Sequence, residues 1–199
     1  MYNYKHYEFL KSEYGKYGSW AIWEPADEKD TTIIHNNYKQ LNSKLVVLGL
    51  NISHRIKSSP WSNFRGGKHD RKLKYALNNS IYRGCYLTDI FKGVEARTAN
   101  GLKEKLTPDI IDKNASHFVN EMKDIKITSE TKFLIMGTES SFLNKMFINH
   151  FKANFNNQII NYYHYAYFKL TDKNWVSGLW DKLGIKDNPT EQIKLYKNT

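Results

Sequence analysis

Apolar positions along this chain follow two periods. Tyr7, Leu10, Tyr14 and Tyr17 stand three and four residues apart, the spacing that puts side chains on one face of a helix. From Leu45 to Leu50 the run LVVLGL has no polar alternation and predicts a short strand covered on both faces. GCYLTDIF (Gly84 to Phe91), KFLIMG (Lys132 to Gly137) and IINYYHYAYF (Ile159 to Phe168) predict three more strands. Between and after them, DRKLKYALNN, TPDIIDKNASHFVNEMKDI, ESSFLNKMFINHF and NWVSGLWDKLG predict helices. The second of these carries Pro108 and Asp109 where a helix N-terminus favours them. GSWAIWEP reads as a buried turn or short extended piece closed by Pro25, and DEKDTT as a surface loop. Pro60, Gly66 and Gly67 argue against regular structure in SHRIKSSPWSNFRGGKHDR.

Strands alternating with helices predict an α/β fold: a three-layer α/β/α sandwich with a central, largely parallel four-stranded sheet. With 199 residues and no linker or repeat, a single domain over 1–199 is expected. The carboxyl ends of parallel strands gather at one edge, where such proteins place ligands. Asn51 to Arg55, Thr88 with Asp89, Gly137 to Ser140, and His164 to Lys169 would meet there. GLNISH and MGTESS lack the glycines and lysine of a dinucleotide fingerprint or P-loop, and no Gly-x-Ser-x-Gly elbow is present.

Charge adds a partner. Lys and Arg total 30 against 20 Asp and Glu, a formal +10, which fits a nucleic-acid partner or a merely lysine-rich surface. The lone Cys85 excludes an intramolecular disulfide and a Cys-based metal cage, so no metal and no cofactor are expected. No apolar run approaches the roughly 20 residues that cross a bilayer, and the N-terminal stretch lacks a signal-peptide core. A cytoplasmic protein without a membrane partner, monomeric, is expected.

Four segments carry a resemblance. VVLGLNIS is similar to the first motif of the mismatch-specific uracil/thymine-DNA glycosylases, a branch of the uracil-DNA glycosylase superfamily in which a buried strand ends in Gly, an apolar residue and Asn. PWSNFRGGKHDRKLKYAL resembles the basic-aromatic stretch and helix that follow. GCYLTDIFKGVEART resembles the second strand, FLIMGTESSFLNKMF the third strand with its glycine and helix, and NYYHYAYFKL falls where the closing strand and DNA-intercalating loop belong. Order and spacing agree over roughly Lys44 to Leu170. Ile52 and Ser53 stand where Pro-Gly is usual, and Tyr165-Ala166-Tyr167 follows His164 in place of Pro-Ser.

The resemblance implies a DNA glycosylase: a base is flipped out of DNA and its N-glycosidic bond hydrolysed, with uracil, mismatched thymine or a modified cytosine as the base and repair or phage defence as the setting. Asn51 would position the water and His164 would donate to the leaving base. Gly49, Leu50 and Ser53 would shape the pocket, Phe64 or Trp61 would stack on the base, and Thr88 and Asp89 would stand near its edge. Arg55, Lys57, Arg65, Lys68, Arg71 and Lys169 would hold phosphates.

Each residue has a structural alternative: a turn role for Asn51, core packing for His164, Phe64 and Trp61, a solvated loop for the basic run, and a cap or lysine pair for Asp89. An ionised Asp89 accepts hydrogen bonds and donates none, which suits the amine of cytosine better than the O4 of uracil. Two other classes of function fit the same residues, a non-catalytic nucleic-acid-binding protein and a nucleoside or nucleotide hydrolase.

Overall fold

The computed structural model describes residues 2–24, 26–52, 59–67, 69–78 and 80–186. Five strands are present: β1 (Ser19–Trp20), β2 (Leu45–Asn51), β3 (Tyr86–Phe91), β4 (Lys132–Met136) and β5 (Ile159–Tyr162). The principal helices are α1 (Tyr4–Tyr14), α2 (Thr32–Asn36), α3 (Arg71–Leu77), α4 (Ala99–Lys103), α5 (Pro108–Asp124), α6 (Phe142–Met146) and α7 (Asp172–Leu183).

The helix boundaries follow from local chemistry. Asn3, Thr107 and Thr171 cap α1, α5 and α7 by accepting the backbone N–H groups of His6, Ile110 and Asn174. Pro108 and Asp109 open α5, and Gly184 ends α7 in the left-handed region at φ 72°. Tyr7, Leu10 and Tyr14 form the buried stripe of α1, whereas Tyr17 lies beyond its end.

The sheet order is β1-β3-β2-β4-β5. The four longer strands are parallel, as expected, but a fifth is added at the edge: Ser19 and Trp20 pair antiparallel with Leu87 and Tyr86. The turn-or-extended reading of GSWAIWEP thus becomes a two-residue strand, held because Trp20 is fully buried. The last strand is shorter than the sequence implies. After Tyr162 the chain turns, with the Ala166 N–H donating to His164 Nδ1 and the Tyr167 N–H to the His164 carbonyl, so His164 to Phe168 form a loop.

Helices cover both faces. Phe133 of β4 packs edge-on against Phe118 of α5, while Tyr162 of β5 packs against Trp175 of α7. Register places these on opposite faces, because Met136 pairs with Tyr162 and strand side chains alternate. From β2 the chain crosses to β3 on one side and later to β4 on the other. The carboxyl ends of β2 and β4 therefore flank a topological switch point. No helix among the described residues is long and apolar enough to cross a membrane.

Candidate functional site

A cleft of about 400 Å³ opens at this switch point. Its walls come from the ends of β2 (Gly49, Leu50, Asn51), β3 (Asp89) and β4 (Met136). The 96–99 segment, the start of α6 (Ser141 to Leu143) and His164 with Tyr165 complete it. Of the residues that the sequence nominates, Gly49, Leu50, Asn51, Asp89 and His164 meet here.

Asn51 is locked by its amide nitrogen. Nδ2 donates to the carbonyls of Ile52 (3.1 Å), Val94 (3.1 Å) and Ala96 (3.0 Å). Three acceptors around one amide group fix its orientation, since an oxygen in that place would face three lone-pair-bearing carbonyls. Oδ1 is then the free polar atom of Asn51 among the described residues. The turn-like use of the side chain and its presentation to the cleft coexist in one residue.

Asp89 lies almost fully buried, directly across from Gly49 in the β2–β3 register. Its Oδ2 accepts from Asn63 Nδ2 at 2.9 Å, while no donor among the described residues reaches Oδ1. Asn63 is itself fixed, with the same Nδ2 donating to the Tyr17 carbonyl and its Oδ1 accepting the Phe64 N–H. Burial raises the Asp89 carboxyl to about 6, against the lowering influence of the Asn63 hydrogen bond and of Lys92, with Glu121 raising it slightly. A wholly structural Asp89 would have both oxygens occupied. The expected lysine pairing takes another form, in which Lys92 Nζ binds the Asp89 carbonyl at 2.7 Å and the Glu121 carboxylate at 2.6 Å.

His164 sits in the loop after β5, stacked on Tyr165 at 4.2 Å between ring centroids. Because Nδ1 accepts the Ala166 N–H at 3.1 Å, a neutral ring carries its proton on Nε2. The residue keeps an exposed edge, yet crowding of the ring and the positive charge of His69 and Lys72 hold its pKa below the ordinary imidazole value. His164 is thus a neutral donor, not the core histidine of a strand.

Several nominated residues belong elsewhere. Thr88 alternates onto the opposite face, where its hydroxyl donates to Glu121 Oε1 at 2.9 Å beside Tyr86, so it does not touch the cleft. Trp61 is a core residue, fully buried edge-on to Trp20 with its backbone N–H on the Gly15 carbonyl. Phe64 packs behind the wall, edge-on to Tyr165, and is not itself a lining residue. Both Trp61 and Phe64 hold positive φ, 64° and 60°, which the irregular loop imposes.

Arg65 is not a phosphate ligand. Its guanidinium is buried and donates to the Trp20, Ile22 and Asp30 carbonyls and to Ser19 Oγ, with burial lowering its pKa to about 10. Arg71 is half exposed but ion-paired to Asp172 at 2.7 Å. Lys169 is exposed on the loop after His164. Ser53, Arg55, Lys57 and Lys68 lie outside the described residues.

The cleft also holds residues that the sequence does not announce. Tyr165, not Phe64 or Trp61, supplies its aromatic wall, and Arg97 stands exposed at its rim. Asn63 anchors Asp89 from within a basic segment that reads as a solvated loop. Only the proximity of Tyr165 to His164 could have flagged any of these beforehand. Among the described residues no group of three or more His, Cys, Asp or Glu side chains is placed to hold a metal ion. No family model, curated protein or solved structure matches the chain.

Proposed function

We propose that this cleft receives a nucleobase turned out of DNA and that the protein hydrolyses its N-glycosidic bond. The observation that carries this reading is the pairing of a locked acceptor, Asn51 Oδ1, with a neutral donor, His164, in one strand-end cleft. Cleavage leaves the bonding electron pair on the departing base while a water oxygen adds to C1′ of the sugar and loses a proton. An amide is too weak a base to take that proton in advance, so Asn51 orients the water, and the proton passes to solvent after the bond has broken. His164 Nε2–H donates to the oxygen of the base on which negative charge collects. Tyr165 offers a ring for the base to lie against, and a cleft of this size suits a ligand of one base and its sugar.

DNA would reach the cleft past exposed groups of matching chemistry. Phe168 is 81% exposed on the loop that carries His164, and Tyr163 and Tyr167 stack beside it at 4.7 Å. Such rings can fill the place of an extruded base, while Arg97 and Lys169 neutralise neighbouring phosphates. The formal charge of +10 favours the approach.

The test is direct. The protein is incubated with DNAs carrying single uracils, mismatched thymines or modified cytosines, treated with alkali and examined for strand breaks at the marked base. Breaks above those of an Asn51→Ala control support the reading. Salt-sensitive binding without any break would replace it with a non-catalytic DNA-binding role, and release from free nucleosides alone with a nucleoside hydrolase.

A further inference from the structure

We propose that the cleft selects bases bearing an exocyclic amine, cytosine and its derivatives, over uracil and thymine, and that Asp89 is the residue that selects. The inference rests on the glycosylase reading and names its substrate class. It is carried by the distribution of hydrogens on the cleft floor. Both amide hydrogens of Asn63 are committed, one to the Tyr17 carbonyl and one to Asp89 Oδ2. Those of Asn51 are committed to the carbonyls of residues 52, 94 and 96. What these side chains still offer the cleft is acceptors, Asp89 Oδ1 and Asn51 Oδ1.

Cytosine presents a donor at N4, whereas uracil and thymine present an acceptor at O4. An ionised oxygen against the N4 amine gains a charge-assisted hydrogen bond. Against O4 it meets a second oxygen, and the N3–H of uracil is flanked on both sides by carbonyls that repel it. The carboxylate cannot swing aside to escape this, because Asn63 holds Oδ2 and the backbone of Gly49 lies directly beneath Oδ1. A methyl or larger group at C5 of cytosine does not alter the N4 donor, so C5-modified cytosines belong to the same class. The charged and titratable groups that bear on Asp89 are Lys92 at the end of its own strand, Glu121 of α5 and Tyr165 of the facing loop. Of these, Lys92 favours the ionised form.

The experiment uses the full chain and two readouts. In the first, duplexes carrying one mispaired uracil, cytosine or 5-methylcytosine are compared for alkali-sensitive breaks. The expected result is release of the cytosine-type bases at least tenfold faster than uracil, with the order reversed in Asp89→Asn, whose amide can donate to O4. Uracil released as fast as cytosine by the unsubstituted protein would overturn the proposal.

In the second readout, the same bases are placed on 2′-fluoro-arabino sugars, which resist cleavage, and competed for binding. Tighter binding of the cytosine form by tenfold or more, shrinking as pH falls through about 6, supports selection by an ionised Asp89. This holds even if Asp89→Asn fails to fold. Equal binding of the two forms overturns it. Discrimination in binding without release from any DNA would retain the base selection while removing the hydrolytic reading.

Discussion

Gly49 and Asp89 face each other in register across β2 and β3, and Asp89 Oδ1 lies where a Cβ on Gly49 would collide with it. The glycine is what lets a carboxylate lie flat on the strand end. Phe64 Cζ, 3.3 Å from the same point, closes the other route of escape. Gly49→Ala must therefore displace the carboxylate or the ring. The expected cost is about 1–3 kcal/mol in urea unfolding, the scale of overpacking a tight site. Base release is expected to fall further than stability explains, because the displaced carboxylate no longer meets the base edge. Wild-type unfolding and release by this variant would show that the strand end has room to spare.

Asn51 supports two different measurements. Asn51→Ala removes the acceptor that orients water, and single-turnover base release is expected to slow about a hundredfold or more, as when one preorganised polar group is lost from an active site. Asn51→Asp separates positioning from general-base chemistry. A carboxylate is the better base, but here it points an oxygen at the carbonyls of Val94 and Ala96. The variant is expected to lose about 1–3 kcal/mol of stability, the cost of unsatisfied buried acceptors, and to release base no faster than the parent. A folded Asn51→Asp protein with increased release would show that position 51 works as a base.

The sequence makes the four parallel strands legible because each is a continuous apolar run, and Asn51, Asp89 and His164 because each directly follows or ends one. The edge strand at Ser19–Trp20 is not legible, since two residues carry no period and its pairing depends on a partner 66 or more positions away. Residues 163–168 look like a strand because they are aromatic, yet their rings stack on one another within a turn. Thr88 and Asp89 are neighbours with the same polar character, and only the register decides which faces the cleft. Charge is equally blind to burial. Arg65 looks like its basic neighbours until four acceptors are found around it.

Those acceptors set the next expectation. Arg65→Ala should leave the salt dependence of DNA binding unchanged while destabilising the fold by on the order of 3 kcal/mol, because three backbone carbonyls and Ser19 lose a charged donor. Arg97→Ala and Lys169→Ala should do the reverse. Each is expected to unfold like the parent and to lower the slope of log binding constant against log salt by about 0.9 for each phosphate that it no longer neutralises. A slope unmoved by both surface variants would place the DNA path away from the cleft mouth.

The burial of Asp89 makes its own mark on stability, independent of any substrate. Its carboxyl titrates at about 6 in the folded chain, against an ordinary value of 3.8, chiefly because burial disfavours the charged form. Between these values the folded state keeps a proton that the unfolded chain has released. The stabilisation from Asp89 is therefore fully present below about pH 4 and is lost as pH rises through about 6. A difference of that size between the folded and unfolded chain corresponds to on the order of 3 kcal/mol, an upper figure since other groups relax around the charge. Asp89→Asn cannot titrate, so the stability of the parent relative to this variant should decline from pH 4 to pH 7 and then level. Urea unfolding of both proteins at half-unit pH intervals measures that difference directly, and Glu121, Lys92 and Tyr165 are common to both. A difference constant with pH would mean that Asp89 is ionised at its ordinary value, open to water, and too well solvated to govern which base enters.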